Sequence, residues 1–364
     1  MKNVLIIYNY ILHYRKPLFN MLSEKYHVTV IHSGNETVSD DDKYEEIIVP
    51  VFKFGPLYYQ KGVLPLLKNG EYDIVIALFD VRWLSTLVSL LYKKRTEKFI
   101  WWGAWITGNK LANATRIFLT RKAHANIFYT AEARNQFIDA GVRKDLVYVA
   151  NNTFDVGEPI QAYKHEMKNR ILFVGSLDER KQIDDLIQAF QSVLEKIPSN
   201  ILLTIIGEGS EQDKLKRLVQ VGGLENRVLF IGKITDVSKL RDYYRQAIFS
   251  VSYGQAGLTV LQSLGYGVPF VTKINAISGG EKSNIQHNQN GYFCEASISS
   301  LASYIVRLCN NLDLARSLGR NAHNYYQDYC TMSNMNQGFL DAIENTRYAN
   351  VDDTLKLEES ILIH

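Results

Sequence analysis

The 364-residue chain contains no run of about 18 apolar residues, so no segment is expected to span a membrane. Its N-terminus enters a short apolar pattern at once and lacks the longer apolar stretch of a signal peptide. Cysteine is scarce: Cys294, Cys309 and Cys330 stand apart, with no C-x-x-C and no metal-type spacing, which suits reduced thiols in a reducing compartment. The eight histidines form no H-x-x-x-H pair and no serine nucleophile elbow occurs, while the run Asp40, Asp41, Asp42 has the character of a solvated loop. No G-x-G-x-x-G follows the first strand pattern; positions 9–15 read NYILHYR, which disfavours a nicotinamide-binding domain. Together these absences point to a soluble, cytoplasmic protein.

What is present has the balance of a globular chain, 46% apolar and 22% charged, long enough for two ordinary domains. The net charge of +3 is unevenly placed: residues 82–144 hold twelve Lys and Arg against three Asp and Glu. Such a band suits an anionic membrane surface or an anionic substrate, or else a set of solvated helix faces. No DNA- or RNA-binding motif accompanies it, so nucleic acid is not expected as a partner.

Apolar runs with strand character recur at 4–8, 28–32, 47–51, 74–78, 99–102, 126–129 and 147–150, with helical periodicity at 16–25, 84–94, 115–122 and 131–140. After a polar stretch at 154–168 the alternation restarts: strands at 170–175, 201–207, 228–232, 249–253 and 291–294, helices at 183–195, 212–221 and 237–246. Residues 301–347 read as helical, and 351–364 as ambiguous. Alternation of this kind predicts α/β architecture, two doubly wound parallel sheets in succession with ligands at the strand C-termini.

Residues 252–271, SYGQAGLTVLQSLGYGVPFV, form the most informative stretch. A strand pattern leads into Gly254 and Gly257, then a helical pattern at Leu258, Leu261 and Leu264, then Gly267, Pro269 and the next strand, a βαβ unit. Backbone N–H groups at such a helix start suit a diphosphate; an ordinary crossover helix is the alternative.

The same stretch resembles the donor-binding segment of family 4 glycosyltransferases, retaining enzymes of GT-B fold, whose usual form is E-G-F-G-L-x-x-L-E-A-x-x-x-G-x-P. The frame G-L-x-x-L, Gly267 and Pro269 match in spacing, but Gly254 and Gln262 stand where the family has its two glutamates. Residues 171–183, ILFVGSLDERKQI, resemble the family's V-G-R-L-x-x-x-K-G loop, with Lys181 at the basic position, Arg180 beside it and Ser176 where an arginine is usual. Residues 202–210 and 228–232 resemble two further glycine-containing edges of the same domain, with Gly207 and Gly209 allowing close backbone approach. Within a variant bacterial subgroup, Ser263, Leu264, Tyr266 and the turn Gly279, Gly280, Glu281 also match, and Glu281 becomes a substitute carboxylate. In the first half, Tyr14, Arg15, Pro17 and Phe19 resemble that subgroup's Y-R-x-P-x-F loop, and Ala104 replaces a histidine that relatives often carry.

The resemblance implies a GT-B enzyme, two Rossmann-like domains facing each other across a cleft: 1–160 for the acceptor, 161–325 for the donor, and a helical segment 326–364 returning towards the first. It implies a hexosyl-type glycosyltransferase that moves a sugar from a nucleotide-diphosphate-sugar to a hydroxyl of a lipid-linked or polysaccharide glycan, with retention and without a metal or other cofactor. Lys181, Arg180 and Glu281 are then the catalytic candidates, since a cation opposing a departing diphosphate stabilises the charge that develops. Gly175, Ser176, Gly207, Gln255, Ala256, Gly257, Leu258, Thr259 and Gln262 line the donor site. Tyr14, Arg15, Trp102 and Asn152 meet the acceptor, with Trp102 and Trp105 as stacking candidates. Peripheral contact with an anionic membrane follows from the basic band. The missing glutamates leave two rivals: a catalytically silent relative that binds a nucleotide sugar or a partner enzyme, and a nucleotide-sugar epimerase.

Overall fold

A computed structural model describes residues 1–345, and the ambiguous stretch 351–364 lies outside the described residues. The chain divides into two compact units, Met1–Asn151 together with the segment from Met332 onward, and Asn152–Thr331.

The first unit runs β1 (Asn3–Ile7), α1 (Lys16–Leu22), β2 (His27–His32), β3 (Glu45–Ile48), β4 (Val51–Phe54), β5 (Leu57–Gln60), α2 (Val63–Asn69), β6 (Ile74–Leu78), α3 (Leu84–Ser89), β7 (Lys98–Trp102), α4 (Lys110–Thr120), β8 (Ala125–Phe128), α5 (Ala131–Asp139) and β9 (Val147–Val149). Seven strands form one parallel sheet in the order β3-β2-β1-β6-β7-β8-β9. The two-residue period of β1 sends Val4 and Ile6 into the core on one face and Leu5 and Ile7 into the core on the other, so helices cover both faces. Where the sequence pattern suggests one strand at 47–51, the chain forms β3, breaks at Pro50, and makes the antiparallel hairpin β4–β5 around Gly55 and Pro56.

The second unit runs β10 (Arg170–Val174), α6 (Ile183–Gln191), β11 (Leu202–Ile206), α7 (Gln212–Val221), β12 (Val228–Gly232), α8 (Val237–Gln246), β13 (Ala247–Val251), α9 (Thr259–Gly265), β14 (Phe270–Lys273), β15 (Gly291–Cys294), α10 (Ile298–Cys309) and α11 (Leu312–Tyr329). Its parallel sheet has the order β12-β11-β10-β13-β14-β15, that of a doubly wound nucleotide-binding sheet. Strand order reverses between β10 and β13, the place where open sheets of this kind bind ligands at the strand C-termini.

The helical region from 301 is not continuous. Asn311 caps α11 by accepting from the Leu314 N–H at 2.9 Å, and a new helix, α12 (Met332–Glu344), begins after Cys330. Helix α12 belongs to the first unit, where Met335 and Phe339 are fully buried and Phe339 meets Trp102 edge-on at 4.9 Å. The unit boundary falls at 151/152 instead of 160/161, because the intervening residues are tied to the second unit: Thr153 donates to the Cys330 carbonyl, and Tyr326 donates to the Phe154 carbonyl at 2.7 Å.

Candidate functional site

The strand C-termini at the reversal in the second unit are organised by backbone packing before any side chain contributes. Gly175, the first residue after β10, donates its N–H to the Ile206 carbonyl at 3.0 Å. A Cβ on Gly207 would lie 1.8 Å from the Gly175 carbonyl oxygen, so the loops after β10 and β11 meet backbone to backbone and only glycine fits at 207.

The loop after β10 separates two adjacent cations. Arg180 points to solvent and grips Asp178, with Nε to Oδ1 at 3.2 Å and Nη2 to Oδ2 at 3.0 Å, and exposed Ser176 donates to the same carboxylate at 2.6 Å. Lys181 turns inward and is 9% exposed, its Cε in ordinary contact with the side-chain face of Gly175. Its ammonium makes no hydrogen bond or ion pair with any described residue. Burial lowers its pKa below the usual lysine value and Arg180 adds to the effect, while Asp178 and Glu281 oppose it. The pair expected to share a catalytic role is therefore divided: Lys181 faces the interior and Arg180 is engaged at the surface.

The loop after β13 explains the departure at position 254. Gly254 donates its N–H to the Lys181 carbonyl at 3.0 Å, and a Cβ there would lie 2.3 Å from the Arg180 carbonyl oxygen and 2.8 Å from Gln182 Cγ. The 180–182 backbone, with Gln182 left-handed at φ 50°, occupies the space a glutamate would need. Gln182 in turn accepts a hydrogen bond from Lys273 at the end of β14, a contact that strand periodicity does not reveal.

Beyond Gly254, Gln255 and Ala256 pair with Ile277, the Ala256 N–H reaching its carbonyl at 2.8 Å. This pairing brings the 278–281 turn beside the loop after β13. Gln255 Oε1 and Thr259 Oγ1 are buried without a hydrogen-bond partner, and space is open beside Gly257, next to half-buried Leu258. Glu281 is buried and held on three sides: its Oε1 accepts from Asn152 Nδ2 at 2.8 Å, its Oε2 from the Gly279 N–H at 3.0 Å and from Ser278 Oγ at 3.3 Å. Gln262, expected to receive a ribose hydroxyl, is buried in the crossover helix, where its Oε1 accepts from Tyr244 Oη at 3.2 Å.

Three of the acceptor candidates are placed differently from expectation. Asn152 belongs to the second unit and orients Glu281. Trp102 is fully buried, stacked on Tyr8 at 5.1 Å, and is core rather than a platform for a sugar. Arg15 is 3% exposed, donates to Tyr8 Oη at 3.3 Å, and lies over the rings of Tyr14, Trp102 and Tyr129 at 5.0–5.6 Å. The Tyr14 ring, half-buried, is part of this cage. Trp105 remains partly exposed, beneath the Arg116 guanidinium.

A different polar cluster occupies the strand-order reversal of the first sheet, between β1 and β6. Gln60 Nε2 donates to the Tyr8 carbonyl at 2.9 Å and to Ser33 Oγ at 3.2 Å, and its N–H donates to Ser85 Oγ at 3.1 Å. Gln60 Oε1, Asn9 Oδ1 and Thr86 Oγ1 are buried without partners. Gln60 sits on the unexpected hairpin, and the only sequence signal for it is a glutamine closing the aromatic run of β5. Among the described residues no group of three or more His, Cys, Asp or Glu side chains is arranged to hold a metal ion.

Comparison with known proteins bears on the fold and on the class of the second unit. Residues 158–325 match the family model for glycosyl transferases group 1. The chain is 28% identical over 159 residues to N-acetyl-alpha-D-glucosaminyl L-malate synthase of Bacillus anthracis, covering 43% of this chain and 40% of that protein. It is 26% identical over 275 residues to an uncharacterized glycosyltransferase of Haemophilus influenzae, covering 74% of this chain and 76% of that protein. Anabaena HepE in complex with UDP superposes with a TM-score of 0.73 at 18% identity, over 95% of this chain and 100% of that one. The fold is thus α/β of the GT-B class with two Rossmann-like domains, and the second unit carries the group 1 match.

Proposed function

We propose that the chain is a glycosyltransferase that transfers a sugar from a nucleotide-diphosphate-sugar to a hydroxyl of a lipid-linked or polysaccharide glycan. The observation that carries this reading is Lys181: a buried ammonium with no hydrogen bond or ion pair among the described residues, at the strand-order reversal of the second sheet. A buried unpaired charge is costly, and it is retained where an anion completes it. A diphosphate is such an anion, and the crystallised relative HepE carries UDP, which makes a uridine nucleotide the first donor to test.

In this reading the bond from the sugar's anomeric carbon to the diphosphate oxygen breaks, and the electron pair leaves on that oxygen. Lys181 stabilises the charge that appears there. The acceptor hydroxyl forms the new bond to the same carbon on the face the diphosphate leaves and passes its proton to the departing diphosphate oxygen, with retention as the resemblance implies. Glu281, fixed by Asn152, Ser278 and Gly279, has lone pairs left to receive sugar hydroxyls and supplies the carboxylate that Gly254 cannot. Gln255 and Thr259 offer unpaired oxygens to the same ligand. The acceptor meets the first-unit cluster at Asn9, its half-buried member with an unpaired oxygen, while Gln60 and Thr86 stand enclosed behind it. Lys181 takes the role that a divalent cation fills elsewhere, so activity is expected to persist in a chelator.

The test is a calorimetric panel of UDP, GDP, CMP and ADP, followed by donor hydrolysis with sugars on the nucleotide that binds. Absence of binding by any of them at millimolar concentration would exclude the donor site.

A further inference from the structure

Helix α4 packs Ile117 and Leu119 partly against the core yet leaves two other large apolar side chains in solvent. Its inward side carries Arg116 and Thr120, both buried, the guanidinium bonded to Thr107 Oγ1 at 3.2 Å and Asn113 Oδ1 at 3.3 Å. Its outward side carries Leu111 and Phe118, 80% and 58% exposed, with exposed Ala114 between them. Positions 111, 114 and 118 share one helix face, and Leu111 and Phe118 lie two turns, roughly 10 Å, apart. A helix of a globular protein ordinarily places such residues against its core and polar ones outside.

The surroundings of this apolar face are cationic. Lys110, Arg121 and Lys122 flank it, all exposed, and Lys122 Nζ stands 5.2 Å from the centre of the Phe118 ring. The neighbouring turn contributes Leu91, 77% exposed, and Lys93, whose Nζ bonds the Lys122 carbonyl at 2.7 Å and so fixes that turn beside the end of α4. Helix α4 itself contains no acidic residue. Among the described residues no helix is long and apolar enough to cross a membrane.

From this juxtaposition we infer that the Leu111–Phe118 face docks onto the interface of an anionic lipid bilayer, its two apolar side chains entering the headgroup boundary and its lysines and Arg121 meeting the lipid phosphates. Apolar residues ringed by cations match a negatively charged interface, whereas a protein partner would have to supply both an apolar pocket and a surrounding acidic rim. Attachment of this kind is reversible, because two side chains insert and nothing spans. The inference rests on the proposed function only in that a lipid-linked acceptor gives the attachment a purpose; the donor site lies in the other unit and is measured separately.

The test is co-sedimentation of the full chain with phosphatidylcholine vesicles, with and without phosphatidylglycerol, at low and high salt. Wild type is expected to bind the anionic vesicles at least about tenfold more tightly than neutral ones, with high salt abolishing most of the difference. The pair Leu111→Ser with Phe118→Ser is expected to lose at least about tenfold on anionic vesicles although every charge remains, and Lys110→Glu with Lys122→Glu to lose as much through charge alone. Far-UV circular dichroism and cooperative thermal unfolding are expected to be unchanged in both variants, which shows them folded, and calorimetry with UDP is expected to be unchanged as well. The inference is overturned by equal wild-type affinity for neutral and anionic vesicles, by no vesicle binding, or by vesicle binding indifferent to Leu111 and Phe118. It is equally overturned by a wild-type dimer in sedimentation velocity that the double serine variant dissolves, since the face then belongs to a second copy. Vesicle binding without nucleotide binding removes the proposed function and leaves this inference standing.

Discussion

Replacing Lys181 by methionine keeps the length of the side chain and removes its charge. In the ligand-free protein the ammonium is buried without a partner, so its removal is expected to stabilise the fold. A gain of about 1 kcal/mol would raise the melting temperature by about 2–4 °C for a domain of this size. Nucleotide binding is expected to move the opposite way. A charge-assisted hydrogen bond contributes about 1.5–3 kcal/mol, so Lys181→Met should bind UDP about 10- to 100-fold more weakly. The pH dependence has a definite sign. Burial lowers the lysine pKa in the folded protein, so ligand-free stability from this group rises as pH climbs from the folded value towards the unfolded one. A bound diphosphate pulls the pKa back up, so UDP affinity is flat below the ligand-free pKa and falls as pH rises through it, with proton uptake on binding in that window. The assays are differential scanning calorimetry without ligand and titration calorimetry in two buffers of different ionisation enthalpy. A variant that melts lower than wild type and binds UDP within a factor of two would refute the assignment and make Lys181 a structural residue.

Gly254→Ala places a Cβ 2.3 Å from a backbone carbonyl that cannot swing aside, and is expected to destabilise the protein by about 2 kcal/mol or more in chemical denaturation. Gly254→Glu, which restores the usual family residue, should be worse still, and recovery of a family-like activity by this change would mean that the 180–182 loop moves readily. Asn152→Ala leaves one oxygen of the Glu281 carboxylate unpaired; a fall in donor hydrolysis of at least about tenfold, with UDP affinity kept, is expected if Glu281 addresses the sugar. Asn9→Ala removes the unpaired amide oxygen of the first-unit cluster and should raise the acceptor KM without altering hydrolysis of the donor.

The sheets were legible because each repeats one simple pattern, a short apolar run followed by a turn and an amphipathic helix. Helices α7 and α8 and strand β12 begin and end where periodicity places them. The β4–β5 hairpin was not legible, since only its last residue, Gln60, is buried and its strands show no core-facing alternation. Within the site, the motif around Lys181 could be seen but not the division of labour beside it: Arg180 and Lys181 are adjacent, and only the turn that follows decides which one points inward. Asn152 and Glu281 are 129 positions apart, and no local pattern announces that one holds the other. Trp102 was misplaced for a related reason. An aromatic at the end of a parallel strand suits a ligand platform or a core equally well, and the return of α12 with Phe339 settles it as core.

The course of α12 also changes how the donor unit can be regarded as heritable material. Both flanks of residues 152–331 join the same unit, and the two ends of the insert are fastened to each other where Thr153 bonds the Cys330 carbonyl. A piece of chain whose ends are already joined can be lifted out, or exchanged for another of its kind, without unravelling what hosts it. On the proposed function, donor chemistry and acceptor recognition would then be separately replaceable cassettes. A chimera carrying a foreign 152–331 segment in this host would take its nucleotide preference from the insert and its glycan preference from the host.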